Sequence, residues 1–116
     1  MAERAEDFVY IDKQLVIRHT PSGLSISGVI DNYNVDTFSR SLSALLAGKG
    51  DVKVDLSELE FCDVSGIRAL VRAAERLVDG RRLVLHGLPQ QLRTVMTLVG
   101  WTDMPGLVID EVGAVE

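Results

Sequence analysis

Apolar residues recur along this chain with two different periods, and these periods separate strands from helices. Leu15–His19 and Val52–Leu56 are short and rich in β-branched residues, which is typical of strands. Leu24–Ile30 alternates apolar with small polar residues, as a half-buried strand does. Because Thr20–Gly23 has the composition of a tight turn, Leu15–His19 and Leu24–Ile30 are predicted to form a hairpin.

Three longer segments place their apolar residues at helical spacing. The first begins after Asn34, a suitable N-cap, and ends at Gly48. The second runs from Ser65 or Gly66 to about Val78, and the third starts near Pro89 and ends at Gly100. The predicted buried face of the first helix is Val35, Phe38, Leu42, Leu45 and Leu46. That of the second helix is Ile67, Leu70, Val71, Ala74, Leu77 and Val78. That of the third helix is Leu88, Leu92, Val95, Met96 and Val99.

The order of these elements predicts the fold class. Further strands are expected at Arg82–His86 and Leu107–Ile109, and Phe8–Ile11 could add an edge strand. The order is then β-β-α-β-α-β-α-β, in which strands joined through helices pair in parallel by right-handed crossovers. We therefore expect one α/β domain over residues 1–116, with helices packed on a mixed sheet of four to five strands. Its core should span about 15–109, and residues 1–7 and 110–116 should be loose tails.

Composition narrows the classes of partner. The 116 residues carry a formal net charge of −5 without a basic tract, which argues against nucleic acid or an anionic membrane as the main partner. The single cysteine, Cys62, excludes an internal disulfide and fits a reducing compartment. The sequence shows neither a signal peptide nor an apolar run of about 20 residues, so we expect a cytoplasmic protein without membrane insertion.

The segment Val52–Arg68 carries the candidate chemistry. It is predicted to form a strand, a polar turn and then Ser65 at the start of a helix, where free N–H groups and the helix dipole favour a phosphate. Each residue also has a purely structural explanation. Ser65 could be a plain N-cap, Asp63 a turn former or N-cap, and Gly66 a point of close packing. Cys62 beside an apolar neighbour is expected to be a buried packing residue.

The segments 28–34 and 55–67 resemble the STAS domain, the fold of bacterial anti-sigma factor antagonists. The resemblance extends from about Leu15 to Ile109, and it includes a Gly-x-Ile-Asp strand end and an Asp-x-Ser-Gly signature. It implies that Ser65 is phosphorylated by a partner kinase that is also the anti-sigma factor. Val64 stands where the family often has another hydroxyl residue, although the acceptor position itself is kept.

The same resemblance implies a partner-switching cycle. The unphosphorylated chain would bind an anti-sigma factor that is a GHKL-type serine kinase, and phosphorylation would release it. A PP2C-type phosphatase would reset the chain, and ATP with Mg²⁺ would belong to the kinase, so no cofactor is expected. The implied partner-binding residues are Asp31, Asn34, Asp63, Val64, Gly66 and Arg68.

Functions other than partner switching fit the sequence less well. An enzyme is not expected, because the sequence contains no Gly-x-Ser-x-Gly elbow, P-loop or Cys/His metal spacing, although His86 could approach Ser65 as a base. Two alternatives remain within the same fold. One is an accessory subunit of an ABC (lipid) transport complex, and the other is a scaffold subunit of a stress-sensing assembly.

Four remaining features have structural and functional interpretations. Arg68, Arg72 and Arg76 recur every four residues, either as a solvated helix face or as a ridge that docks an acidic partner. His19 and His86 are expected to be structural or exposed. Trp101 is expected to seal the last helix, with an exposed partner anchor as the alternative. The absence of a long heptad pattern favours a monomer.

Overall fold

The computed structural model of the chain describes residues 8–110 and contains one mixed β-sheet with helices. The strands are Phe8–Ile11 (β1), Leu15–Thr20 (β2), Gly23–Ile30 (β3), Val52–Cys62 (β4), Leu83–His86 (β5) and Leu107–Asp110 (β6). The α-helices are Val35–Leu46 (α1), Val64–Arg76 (α2) and Gln90–Leu98 (α3), and a short 3₁₀ helix covers Trp101–Asp103.

The strands lie side by side in their sequence order, from β1 to β6. The pairs β1–β2 and β2–β3 are antiparallel, whereas β3–β4, β4–β5 and β5–β6 are parallel. The predicted hairpin, mixed sheet and α/β class are therefore confirmed. The expected count of four to five strands was too low, because Phe8–Ile11 pairs with β2 and makes a sixth strand.

One face of the sheet carries the core, as alternation along β4 shows. Val52, Val54 and Leu56 are buried, whereas Lys53 between them is exposed. Three successive crossovers of the same hand place their helices on the same face of a sheet. Consistent with this, α1 and α2 pack against each other.

The boundaries of two central elements differ from prediction. Strand β4 does not end at Leu56 but continues to Cys62, because β3 keeps pairing with it through two register shifts. What the sequence indicated as a polar turn is therefore mostly strand. Helix α2 begins at Val64 and ends at Arg76, because Leu77 is already extended at ψ 140.

From α3 to β6, the structure agrees with the predicted burial and element boundaries only in part. In α3, Leu92 and Met96 are buried, but Val95 is 37% exposed, and Val99, which directly follows the helix, is 52% exposed, so the predicted apolar face is narrower than expected. Trp101 packs half-buried against the core, as predicted. Asp110 belongs to β6 rather than to a tail. The expected loose tails at residues 1–7 and 111–116 lie outside the described residues.

Candidate functional site

The candidate corner forms where β3 and β4 end together. Ile30 pairs with Cys62 at the last register position of these parallel strands, and the N–H of Asp63 donates to the carbonyl of Ile30 at 3.1 Å. Asp31 and Asp63 each directly follow their strand. Two segments that are far apart in sequence thus meet at one sheet end, which brings together Asp31 and Asp63, two residues of the implied partner-binding set.

The loop between β3 and α1 is held by its own side chains. Asn34 Oδ1 accepts from the N–H of Asp31 at 2.9 Å, and Asn34 Nδ2 donates to the carbonyl of Val29 at 2.9 Å. Asp31 Oδ1 accepts from the N–H of Tyr33 at 2.9 Å. The backbone position of Asn34 is the N-cap of α1, as predicted, but its side chain does not cap the helix.

The burial of Asn34 limits what it can do for a partner. Its side chain is buried at 5% exposure, and both ends of the amide bond within the loop. It can shape the surface that a partner meets, but a direct side-chain contact would require the loop to open. Asp31 is half-buried and stays accessible at the surface.

Asp63, rather than Ser65, caps helix α2. Its Oδ1 accepts from the backbone N–H groups of Ser65 at 3.0 Å and Gly66 at 3.3 Å. The residue is extended at φ −83 and ψ −179, as an N-cap requires. The plain N-cap interpretation of Ser65 is therefore wrong, and the N-cap alternative for Asp63 is confirmed.

The hydroxyl of Ser65 is held at the first turn of α2. Its Oγ donates to Asp63 Oδ1, and the side chain is half-buried rather than enclosed. The hydroxyl lies near the positive end of the helix dipole. A phosphoryl group attached there would project beside the Asp63 carboxylate at an accessible edge of the domain.

Gly66 is at a point of close packing. A Cβ at this position would lie 2.3 Å from Cys62 Sγ and 2.8 Å from Ile30 Cγ2. The residue is buried, so the packing explanation is confirmed, and any contact with a partner would involve its neighbours. The close approach brings the first turn of α2 directly onto the ends of β3 and β4.

Cys62 is buried beneath the corner. Burial, reinforced by the nearby Asp63 charge, raises the pKa of its thiol to about 12. The Sγ donates a weak hydrogen bond to the carbonyl of Asp63 at 3.3 Å. A thiol that stays protonated at neutral pH is a packing group rather than a nucleophile, as the sequence indicated.

Apolar side chains surround this corner at the surface. Val64, Phe61 and Tyr33 are 50%, 55% and 96% exposed. Hydrophobic periodicity does not predict the exposure of Phe61 or Tyr33, because Phe61 lies in the segment with the pattern of a polar turn and Tyr33 lies in a loop. The feature of the sequence that could indicate the exposure of Tyr33 is its position in the loop between a strand and a helix.

A cavity of about 200 Å³ adjoins the same corner. It lies between the end of β4 and the first half of α3, and its lining is mainly apolar. The lining residues are Leu59, Glu60, Phe61, Cys62, Pro89, Gln91, Leu92 and Val95.

The two histidines do not approach Ser65. His86 pairs in the sheet with Asp55, seven residues before Cys62 along β4, and its Nδ1 lies 3.3 Å from Asp110 Oδ2. His86 therefore cannot serve Ser65 as a base, as one enzyme hypothesis required. His19 is exposed on β2.

The described part of the chain contains neither a metal-binding cluster nor a membrane-spanning helix. Within residues 8–110, no three His, Cys, Asp or Glu side chains come together in a way that could hold a metal ion. Across the same residues, no helix combines the length and the apolar character that crossing a membrane would need.

Comparison with known proteins places this geometry in context. A protein-family model described as "Mlab, STAS domain" matches residues 14–109. Among curated proteins, none matches the sequence significantly.

Several solved structures share the fold. An anti-sigma factor antagonist from Mycobacterium paratuberculosis superposes with a TM-score of 0.65 at 22% identity, covering 88% of this chain and 90% of that one. The unphosphorylated form of the anti-sigma factor antagonist SpoIIAA gives 0.63 at 16% identity, with coverages of 84% and 88%. An anti-sigma-factor antagonist (STAS) domain protein from Planctomyces limnophilus gives 0.66 at 18% identity, with coverages of 90% and 96%.

Proposed function

Because the chain belongs to the STAS domain family, we propose that it is an anti-sigma factor antagonist controlled by phosphorylation of Ser65. Unphosphorylated, it binds an anti-sigma factor that is also a GHKL-type serine kinase, and so frees a sigma factor for transcription. Phosphorylated, it releases that partner, and a PP2C-type phosphatase restores the first state. The partner surface includes Asp31 and Asp63, together with the exposed Val64 at the start of α2 and the exposed Arg68 one turn later.

The observation that carries this proposal is the placement of the Ser65 hydroxyl. It is half-buried at the start of α2, next to Asp63 and at the sheet end shared with Asp31. Phosphorylation would add a charge of about −1.5 to −2 at neutral pH. The helix N-terminus tolerates that charge, so the fold should survive, whereas an acidic partner surface would be repelled.

The energy required for such a switch is modest. A change of about 3 kcal/mol in the binding free energy changes the partner's affinity by about two orders of magnitude. One new dianion at the centre of a contact can supply this through repulsion and obstruction of close docking. A large conformational change is not needed.

A regulatory role explains the corner better than catalysis does. The hydroxyl of Ser65 bonds to a carboxylate that already caps a helix, and His86 bonds elsewhere. In the proposed cycle the chain is the kinase's substrate and holds no cofactor of its own. It acts in the cytoplasm as a monomer, without binding nucleic acid.

A second candidate function is a STAS accessory subunit of an ABC (lipid) transport complex. Two observations favour keeping it. The matching family model carries Mlab in its description, and the exposed residue before Ser65 is the apolar Val64 rather than a second hydroxyl. In that role the α2 face would dock an ATPase without a phosphorylation cycle.

The first test is a phosphorylation assay. The purified chain is incubated with ATP and the candidate GHKL kinases encoded in its genome, and phosphosites are mapped by mass spectrometry. We expect one phosphate on Ser65, loss of that phosphate in Ser65→Ala, and a fall in kinase affinity of about 100-fold on phosphorylation. Ser57→Ala is the matched control, because Ser57 is an exposed serine on β4 whose Oγ also bonds to an aspartate, Asp55, at 2.7 Å.

Two outcomes would contradict the proposal. Phosphate found only at other residues, with Ser65→Ala still released by the kinase, would exclude Ser65 as the switch. A pull-down that recovers an ABC ATPase and no GHKL kinase would favour the second candidate function.

A further inference from the structure

The exposed side of α2 carries three arginines in a line. They are Arg68, Arg72 and Arg76. All three are exposed, and they are spaced four residues apart. Four residues rise about 6 Å and turn little more than one full circle, so the three side chains follow one edge of the helix for about 12 Å. We call these three residues the arginine ridge.

The charge of the arginine ridge is not neutralised within the described part of the chain. Across residues 8–110, none of its three guanidinium groups forms an ion pair, and Arg76 donates only to the hydroxyl of Ser43 at 2.9 Å. Glu75, the one carboxylate on α2, also pairs with none of them. The nearby Arg82 differs, because it bonds to Asp51 at 2.9 Å.

This unpaired positive strip stands out on a chain whose net charge is −5. Arginine binds carboxylates through two parallel hydrogen bonds, and a helix holds the three groups at fixed spacing. The long side chains remain accessible. The surface therefore fits a partner with several carboxylates in a row.

We propose that the arginine ridge is the docking surface for an acidic face of the anti-sigma factor. The proposal rests on the proposed function, because it names the chemistry of that same partner. It extends the contact from the corner at Ser65 along the whole of α2. Arg72 and Arg76 thereby join the partner-binding surface.

The position of Ser65 couples the ridge to phosphorylation. Ser65 is three residues before Arg68, so the two side chains are neighbours on the helix surface. A phosphate of about −1.5 to −2 would cancel about half to two thirds of the ridge's charge of +3 and would give Arg68 a partner within the chain. The same phosphate repels the carboxylates of the docked protein. Phosphorylation thus weakens the attraction and adds repulsion at one place.

The first experiment tests the surface without the kinase. The ¹⁵N-labelled chain is titrated with poly-L-glutamate at low salt, and amide shifts are followed by NMR. We expect shifts along α2 that are lost in Arg72→Gln/Arg76→Gln and kept in Lys13→Gln/Lys49→Gln. The control pair removes the same charge from exposed positions outside α2. Thermal unfolding of each variant confirms that it is folded.

Competing ligands decide the chemical class of the partner. A DNA duplex and vesicles rich in anionic lipid are titrated in parallel. Tighter binding of either one through the same arginines would overturn the proposal of a carboxylate-bearing protein surface. Shifts that are absent from α2, or that depend equally on Lys13 and Lys49, would also overturn it.

The second experiment uses the kinase that modifies Ser65. Arg72→Gln/Arg76→Gln should slow association with that kinase about tenfold at low salt, because electrostatic steering is lost. The difference from the wild type should vanish near 1 M salt, where the screening length is about 3 Å. The lysine control pair should associate at the wild-type rate.

The two proposals can fail separately. If Ser65 is phosphorylated but the double arginine variant associates like the wild type at every salt concentration, the ridge is wrong and the proposed function stands. If no kinase modifies Ser65 while poly-L-glutamate still maps to α2, the proposed switch fails, and with it the anti-sigma factor as the partner of the ridge; only the binding of carboxylates by the ridge is then supported.

Discussion

At the scale of single residues, Asp63 performs two tasks with one carboxylate. It caps α2 through the N–H groups of Ser65 and Gly66, and it accepts the hydroxyl of Ser65. The hydroxyl is therefore held in a defined position while the side chain stays half exposed. A phosphoryl group on Ser65 would remove that hydroxyl donor and place negative charge beside the Asp63 carboxylate that caps α2. The stability of the first turn of α2 therefore depends on Asp63 in both phosphorylation states.

Gly66 gives the most direct test of how tightly the corner is packed. Gly66→Ala should lower the free energy of unfolding by about 1–3 kcal/mol, because the added Cβ overpacks Cys62 Sγ and the Ile30 side chain. Urea unfolding followed by circular dichroism measures the loss.

The matched control for this variant is Gly48→Ala. At Gly48 the nearest atom to an added Cβ is the carbonyl oxygen of Leu45 at 3.5 Å, so the methyl group fits. The control should be neutral or stabilising by up to about 1 kcal/mol. Equal stability of Gly66→Ala and the wild type would show that the corner relaxes and that the close approach is not required.

Cys62 should make stability depend on alkaline pH. Its pKa is raised to about 12 by burial, whereas an unfolded thiol titrates near pH 8.5. Above pH 8.5 the unfolded chain loses the proton and the folded chain keeps it. Stability should therefore fall by about 1.4 kcal/mol per pH unit from this group until the pH approaches 12.

The measurement compares Cys62→Ala with the wild type across this pH range. Other alkaline groups titrate in both proteins, so the difference between the two unfolding free energies isolates the thiol. The wild-type stability should fall more steeply than that of the variant. Parallel curves, or rapid reaction of the folded thiol with a disulfide reagent at pH 7, would contradict the burial argument.

At the scale of elements, the C-terminal end of α1 is hydrogen-bonded by a side chain from a distant part of the chain. The last turn of α1 contains no basic residue of its own. The side chain of Arg81 supplies the cation, since its Nη1 donates to the carbonyl of Leu46 at 2.7 Å and its Nε to the carbonyl of Gly50 at 2.8 Å. Positive charge at this end also complements the helix dipole. The α1 end is thus fixed by the segment that precedes β5.

Two adjacent arginines, Arg81 and Arg82, provide a matched comparison of how much the bonds to the end of α1 stabilise the fold. Arg81→Ala should lower the free energy of unfolding by about 1.5–3 kcal/mol, because charge-assisted bonds to half-buried carbonyls are lost. Arg82→Ala removes an exposed ion pair with Asp51 and should cost only about 0–1 kcal/mol. Chemical denaturation measures both, and equal losses would show that Arg81 does not stabilise α1 specifically.

At the scale of the whole molecule, the strand order determines where function can arise. Because β3 and β4 are adjacent and parallel, the residues after Ile30 and Cys62 meet at one sheet end. Helix α2 starts there and carries Arg68 and the rest of the arginine ridge along the outside of the domain. A partner that contacts the corner and the ridge together would meet both the phosphate position and the positive strip.

The positive charge of the arginine ridge contrasts with the negative net charge of the whole molecule. A net charge of −5 argues against nucleic acid as the main partner, yet α2 alone carries two more positive than negative charges, from three arginines and Glu75. Binding through the ridge should therefore depend on salt even though the chain is acidic overall. The salt series proposed for Arg72→Gln/Arg76→Gln examines this property of the molecule.

The sequence by itself determined the types of the elements, their order and the position of Ser65 at the start of a helix. These follow from hydrophobic period, turn residues and a local motif, all of which are properties of neighbouring residues. It also indicated that Cys62 is buried and that Asp31 approaches the Ser65 corner, the second through resemblance rather than through pattern.

Only the tertiary structure decided how hydrogen-bond donors and acceptors are paired. β4 reaches Cys62 because β3 pairs with it to the end, and Asn34 turns into its loop instead of capping α1. Asp63 takes the cap that Ser65 could have made, and the three arginines find no carboxylate within the described chain. The pairing of β4 with β3 joins segments that are distant in sequence, whereas Asn34 and Asp63 bond to groups within five residues. In both cases the folded backbone decides which donor and acceptor come within about 3 Å of each other, and the hydrophobic pattern does not contain that information.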